Sequence, residues 1–215
     1  MGHDRCDHDS RVARDGGGTV IHFIAPSPTP LAFLTPDVVS RDSCTSFPTA
    51  LGVCTILWSD RGVTRLLLPD PDRRTGAALS EATAAPPSET MRCIARLQSY
   101  FSGAAVDFSD ITLDFERVDP GTVPIYRALR RIGWGQFTTY GQLATAAGRP
   151  GAARAIGVAM AGNPWPVIVP CHRVLAAGAR LGGFSAPGGA RTKERLLMLE
   201  RVQAGDIQPA LPGLL

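Results

Sequence analysis

No stretch of this 215-residue chain is apolar for long enough to span a membrane or to form a signal-peptide core; the early run TVIHFIAPSPTPLAFL is broken by histidine and proline. No CxxC pair occurs. The five cysteines, Cys6, Cys44, Cys54, Cys93 and Cys171, are odd in number and scattered, which argues against a disulfide framework and against a structural zinc site. Free thiols suit a reducing compartment, so a cytoplasmic protein with no membrane attachment is expected. Internal repeats are lacking too, and a net charge of +3 is too small to indicate a partner.

The charge that is present is unevenly placed. From Gly121 onward there are eleven Arg and Lys against three Asp and Glu, a net +8, which leaves the first 120 residues at −5. A basic C-terminal half suits a domain that meets phosphates, although basic faces are often merely solvated.

Residues 1–43 mix His, Asp, Arg, Gly and Pro without a period and are expected to form a flexible tail. His3, Cys6 and His8 could clutch a metal there, but partner ligands are lacking and no metal is expected. LGVCTILWS and VTRLLLPD read as two strands around an Asp60-Arg61-Gly62 hairpin. SETMRCIARLQSYFSG reads as a helix capped by Ser88 or Thr90 and stopped at Gly103, and VDFSDITLDFERV alternates as another strand. Together these predict an α/β unit over 44–119, with a boundary near Asp119-Pro120-Gly121.

The remainder, 120–215, is expected to be mostly helical. TVPIYRALRRI carries Val123, Tyr126, Leu129 and Ile132 at helical spacing and ends at Gly133. TTYGQLATAAGRPGAARAIGVAMAGNP predicts a helix-turn-helix, with one helix capped by Thr138 or Thr139 and running to Ala147, and a second over 151–161. TKERLLMLERVQ predicts a last helix with Leu196, Leu197 and Leu199 inside and its charges outside. The second helix of the pair is almost bare, Ala and Gly around Arg154. Small side chains let a backbone press against a sugar-phosphate wall; an alanine-rich packing helix with a solvated arginine is the plainer alternative.

NPWPVIVPCHRV sets a proline-punctuated apolar run against Cys171 and His172. A lone cysteine is most often an inert core residue, but here Pro170, His172 and Arg173 flank the thiol. Positive charge and a proton acceptor beside it would lower its pKa and enlarge the thiolate fraction. Adjacent side chains diverge, so His172 is expected to reach the sulfur through a bridging water.

PCHRV with NPxPxxxP upstream, FTTYGQLA, AARAIGVAMAGNP and LGGFSAPGG…K…LL..E, in that order, resembles the O6-alkylguanine-DNA alkyltransferase family over about 123–200. Residues 47–114 resemble the family's smaller N-terminal domain. The resemblance implies an RNase H-like α/β domain followed by a helical, winged-helix-like domain that binds double-stranded DNA in the minor groove and flips the damaged base. By resemblance Cys171 is the alkyl acceptor, His172 its base through water, Glu200 the group that orients His172, and Tyr140 the donor to the guanine. Asn163 ties the recognition helix to the active-site loop. Arg154 would fill the gap left by the flipped base, with Ala152, Ala153, Gly157 and Thr139 beside the DNA. Met160, Trp165, Pro166, Val174, Phe184 and Ser185 would form pocket wall and lid. Phe184 stands where some relatives carry tyrosine, and the 185–189 loop is longer than in some.

The implied activity is methylated-DNA–protein-cysteine methyltransferase chemistry, once per molecule, by a monomer without cofactor. O4-alkylthymine is a second candidate lesion. Three rivals stand beside it: a non-catalytic damage-binding protein, a cysteine hydrolase, and a transcription factor using the helix-turn-helix alone. The shortage of base-reading side chains on the second helix counts against the last.

Overall fold

The computed structural model describes residues 42–69 and 84–202. The tail through residue 41, with His3, Cys6 and His8, lies outside them, as do residues 70–83. Three antiparallel strands form a meander in the order β1 (Ser43–Thr49), β2 (Gly52–Ser59) and β3 (Gly62–Leu67). The expected hairpin turns at Asp60-Arg61. Gly62 is required there, since its φ is +134° and a Cβ would lie 2.6 Å from the Thr112 carbonyl oxygen. β1 has no counterpart in the sequence reading; its serines, threonines and Pro48 hide it, and its place at the sheet edge is where proline is tolerated.

Helix α1 (Ser88–Phe101) packs Cys93, Ile94, Leu97, Tyr100 and Phe101 inward. Neither expected cap caps it: Pro87 holds the N-cap position without a side-chain bond, and Thr90 is buried. The strand expected over 106–118 is a loop instead. It makes one parallel bridge, Val63 with Leu113, and a short 3-10 turn at Phe115–Arg117. The reason lies in Arg130, whose guanidinium donates to the carbonyls of Phe108, Ser109 and Ile111 at 2.6, 2.9 and 2.7 Å. Neighbouring carbonyls that converge on one guanidinium do not alternate in direction as those of an extended strand must.

Helix α2 (Val123–Leu129) ends before the expected Gly133, though Ile132 still reaches the core. Strand β4 (Thr138–Thr139) runs into α3 (Tyr140–Ala146), where Thr139 and Gln142 make a reciprocal capping box. Gly148 and Gly151, at φ +73° and +82°, turn the chain into α4 (Ala153–Ala161), which therefore starts two residues later than predicted. Strand β5 (Val174–Leu175) pairs parallel with β4, and α5 (Gly189–Leu199) closes the described chain.

One hydrophobic core runs through both halves, from Ile56 and Leu97 to Leu129, Leu143, Ile156 and Val169. Polar bonds fix its seam. Trp165 Nε1 donates to the Val63 carbonyl at 2.8 Å, and the Leu66 N–H donates to the Pro164 carbonyl at 2.9 Å. The loop that follows α4 is thereby laced to β3. Trp165, expected in a pocket wall, is instead fully buried edge-on to Phe115 and Tyr126. Trp165→Phe should cost about 1–3 kcal/mol in urea unfolding, from the lost bond and the smaller ring. An unchanged midpoint would show that the seam does not depend on it.

Candidate active site

The loop that carries the thiol is shaped before it is chemical. Val169 N–H closes a turn onto the Trp165 carbonyl at 2.8 Å, and inside it Val167 is held at φ +74°, a region disfavoured for a β-branched residue. Prolines at 164, 166 and 170 restrict the flanks. Asn163, just after α4, pins this loop with one side chain. Its Nδ2 donates to the Val169 carbonyl at 2.8 Å and to Cys171 Sγ at 3.1 Å, while its Oδ1 accepts from Trp165 N–H at 3.0 Å. Cys171 opens a 3-10 turn, Cys171–Arg173, and is 5% exposed.

The parallel pairing of Thr138 with Val174 and Thr139 with Leu175 sets the start of α3 beside the strand that follows the thiol. Tyr140, the first residue of α3, is half-buried. Burial, and next the Cys171 charge, raise its pKa above the ordinary phenol value. Its hydroxyl stays a neutral donor.

His172 is fully buried. Its Nε2 lies 2.8 Å from Glu200 Oε1 and its Nδ1 has no protein partner. A neutral ring therefore keeps its proton on Nε2, facing the carboxylate, and offers the Nδ1 lone pair as the base. Burial pushes His172 below the ordinary imidazole value, against the pull of Glu200. For Glu200 burial works in the raising direction, but His172 and Arg173 outweigh it and hold the carboxyl well below the usual range.

Arg173 does not supply the thiol with charge, as its place in the sequence suggested. Its guanidinium turns to Glu200, Nε to Oε2 at 2.9 Å and Nη2 to Oε1 at 2.8 Å, and Nη1 donates to the Ile132 carbonyl. Burial dominates at Cys171 and raises its pKa, with the Asn163 bond and the Lys193 charge only partly opposing. Burial thus outweighs the adjacent charges that were expected to lower the thiol's pKa, and a base is needed to take its proton.

Two further groups were not read from the sequence. Lys193 on α5, where charges were expected to face out, is fully buried; its Nζ donates to the Val174 carbonyl at 2.7 Å and the Gly183 carbonyl at 3.3 Å. Burial pushes it down to about 8, partly opposed by Cys171. Its helical position is indistinguishable from a solvated lysine in sequence. Tyr100 on α1, 100 residues from Glu200, donates its hydroxyl to Glu200 Oε1 at 2.6 Å.

Of the other predicted residues, Met160, Pro166 and Val174 are buried, Phe184 is half-buried and Ser185 is exposed. Ser185 Oγ reaches the Met160 carbonyl at 3.5 Å, joining the 184–185 segment to α4. Arg154 and Ala153 are exposed, and Ala152 and Gly157 are half-buried. Thr139 spends its hydroxyl on the α3 cap. Among the described residues no group of three His, Cys, Asp or Glu is placed to hold a metal ion.

With the geometry in place, the chain was compared with known proteins. The sequence model of the 6-O-methylguanine DNA methyltransferase DNA binding domain matches residues 122–202, and that of the family's ribonuclease-like domain matches 43–115. The methylated-DNA–protein-cysteine methyltransferase of Mycolicibacterium paratuberculosis is 43% identical over 108 residues, 50% of this chain and 63% of that protein. The chain thus spans just under two thirds of that relative's length. The Rattus norvegicus protein of the same name is 34% identical over 155 residues, 68% of this chain and 72% of its own. The crystal structure of Mycobacterium tuberculosis OGT in complex with DNA superimposes with a TM-score of 0.61 at 32% identity, covering 74% of this chain and 92% of that one.

The buried pair dictates an acid dependence. His172 binds its proton more weakly folded than unfolded, so its contribution is complete above the ordinary imidazole value of 6.5 and is lost as pH falls below it. Glu200, also depressed, adds a second loss below its ordinary 4.5. Urea midpoints should fall from pH 7 to pH 5 and more steeply below; a flat profile would contradict the buried neutral imidazole.

Proposed function

Since the chain belongs to the 6-O-methylguanine DNA methyltransferase family, we propose that it repairs O6-alkylguanine in double-stranded DNA by taking the alkyl group onto Cys171, once per molecule. The observation that carries this reading is a buried sulfur fixed by Asn163, next to a buried imidazole whose only unpartnered nitrogen is a proton acceptor. A displacement at carbon needs a desolvated thiolate aimed along the bond being broken.

The Cys171 proton passes through a bridging water to His172 Nδ1; the sulfur lone pair forms an S–C bond as the C–O6 bond breaks. Guanine receives a proton from Tyr140, and the phenolate so left regains one through water as the His172 imidazolium gives up the proton it took, so the thiol's proton is in net terms moved to the base and both side chains end neutral. Glu200 and Arg173 hold the imidazolium's counter-charge in place. The alkyl donor is the lesion itself, and a thioether offers no easy hydrolysis, so no second turnover follows. Every group named lies in one chain, and a monomer suffices. A cytoplasmic, reducing setting keeps the sulfur available; among the described residues no helix is long and apolar enough to cross a membrane.

The exposed face of α4 carries Arg154, Ala155, Val158 and Ala161, and no acidic side chain. In the minor groove its small residues admit the sugar-phosphate walls, and Arg154 occupies the space of the extruded base, offsetting an extrusion cost of a few kcal/mol. The 44–119 half bears on this chemistry from behind, through the β3 seam and Tyr100.

Incubation with a duplex containing O6-methylguanine should leave one permanent methyl on the tryptic peptide bearing Cys171, at one per protein. Many turnovers would indicate a hydrolase, and tight binding with no mass gain a non-catalytic damage binder. Either overturns the reading. At Gly157 a Cβ meets nothing within 4 Å in the free protein. Gly157→Leu should therefore keep or raise thermal stability, because glycine is a poor helix former, while lowering DNA affinity about tenfold or more. Undiminished affinity would remove α4 from the DNA interface.

A further inference from the structure

We propose that Tyr100 is a positioning residue of the transfer site: its hydroxyl, supplied by the N-terminal half, takes a share of the Glu200 carboxylate and so keeps His172 a neutral base. This rests on the reading of Cys171 as acceptor and His172 as its base.

Tyr100 is fully buried at the inner end of α1. Its hydroxyl donates to Glu200 Oε1 at 2.6 Å and lies 3.3 Å from His172 Nε2. That carboxylate oxygen is crowded. It also faces His172 Nε2 at 2.8 Å and accepts from Arg173 Nη2 at 2.8 Å, while Oε2 takes Arg173 Nε and, at 3.3 Å, the Gly135 N–H. Three donors compete for one oxygen, and charge drawn toward the phenol and the guanidinium is charge not offered to an imidazolium. Among the described residues, the charged and titratable groups that face His172 are Tyr100 from α1, Arg173 from its own turn, Lys193 from α5 and Glu200 at that helix's end, with Cys171 adjacent in the chain.

A purely structural tyrosine would need only its ring. That ring packs edge-on to Phe101 at 5.2 Å, Phe108 at 6.0 Å and Trp134 at 5.2 Å, contacts a phenylalanine would keep. The hydroxyl is what a phenylalanine loses, and Glu200 would still have Arg173, Gly135 and His172 as donors. Burial first, and then Glu200, raise the phenol far above its ordinary value, so it donates throughout the working pH range.

Tyr100→Phe is the test, read by two measurements on the full chain. The His172 imidazole titration, followed by 15N NMR in the free protein, should rise by about half a unit to one unit. The acid limb of methyl transfer from an O6-methylguanine duplex should move up by the same amount, with DNA affinity unchanged. Placing 3,5-difluorotyrosine at position 100, a stronger donor in the same ring, should move both the other way. An unshifted imidazole in both variants overturns the proposal, as does a rate lowered equally at every pH. If the parent protein transfers nothing, the functional reading fails, and the NMR titration still decides the coupling.

Discussion

One buried carboxylate organises the site. Glu200 is 1% exposed and stands where α5 ends, yet it gathers donors from three distant parts of the chain: Tyr100 from α1, Gly135 from the turn before β4, and His172 with Arg173 from the thiol's own turn. A buried charge with one donor removed is strongly destabilising, whereas a fully donated one tolerates burial. The network therefore welds the two halves together beside His172, where the proposed relay moves its proton. Arg173 balances the charge; His172 is left neutral and available.

Burial has opposite consequences for the two groups to which the proposed transfer is assigned. It keeps the Cys171 proton on the sulfur and keeps a proton off the imidazole. Neither group is activated alone. A thiolate that forms only when the relay moves is shielded from oxidants and stray electrophiles at rest, and is poorly solvated when it forms, which favours attack on carbon. The strained Val167, the prolines and the Asn163 clamp serve the same end, since a buried sulfur is useful only if it points at the bond to be broken.

The layout of the candidate site was legible in the sequence where it is contiguous. Cys171, His172, the Asn163 turn and the paired helices around Gly148 and Gly151 announce themselves through proline, glycine and a threonine-glutamine cap. What the sequence hid is long-range. Tyr100 reads as one more apolar position on α1, Lys193 as a solvated charge, and Arg173 as a neighbour of the thiol rather than the partner of Glu200. The alternation in 106–118 suggested a strand because the pattern does not reveal that Arg130 takes its carbonyls. Sequence proximity also gave the wrong sign for the thiol, because it registers adjacent charges and not the burial that outweighs them.

In the proposed transfer the sulfur waits protonated until His172 takes its proton. The direct measurement is the ultraviolet titration of the Cys171 thiolate in the free protein, taken as the difference between the parent and Cys171→Ser. No thiolate signal is expected from this residue at neutral pH, and ionisation only above the range of an ordinary thiol. A thiolate already formed at pH 7 would contradict it.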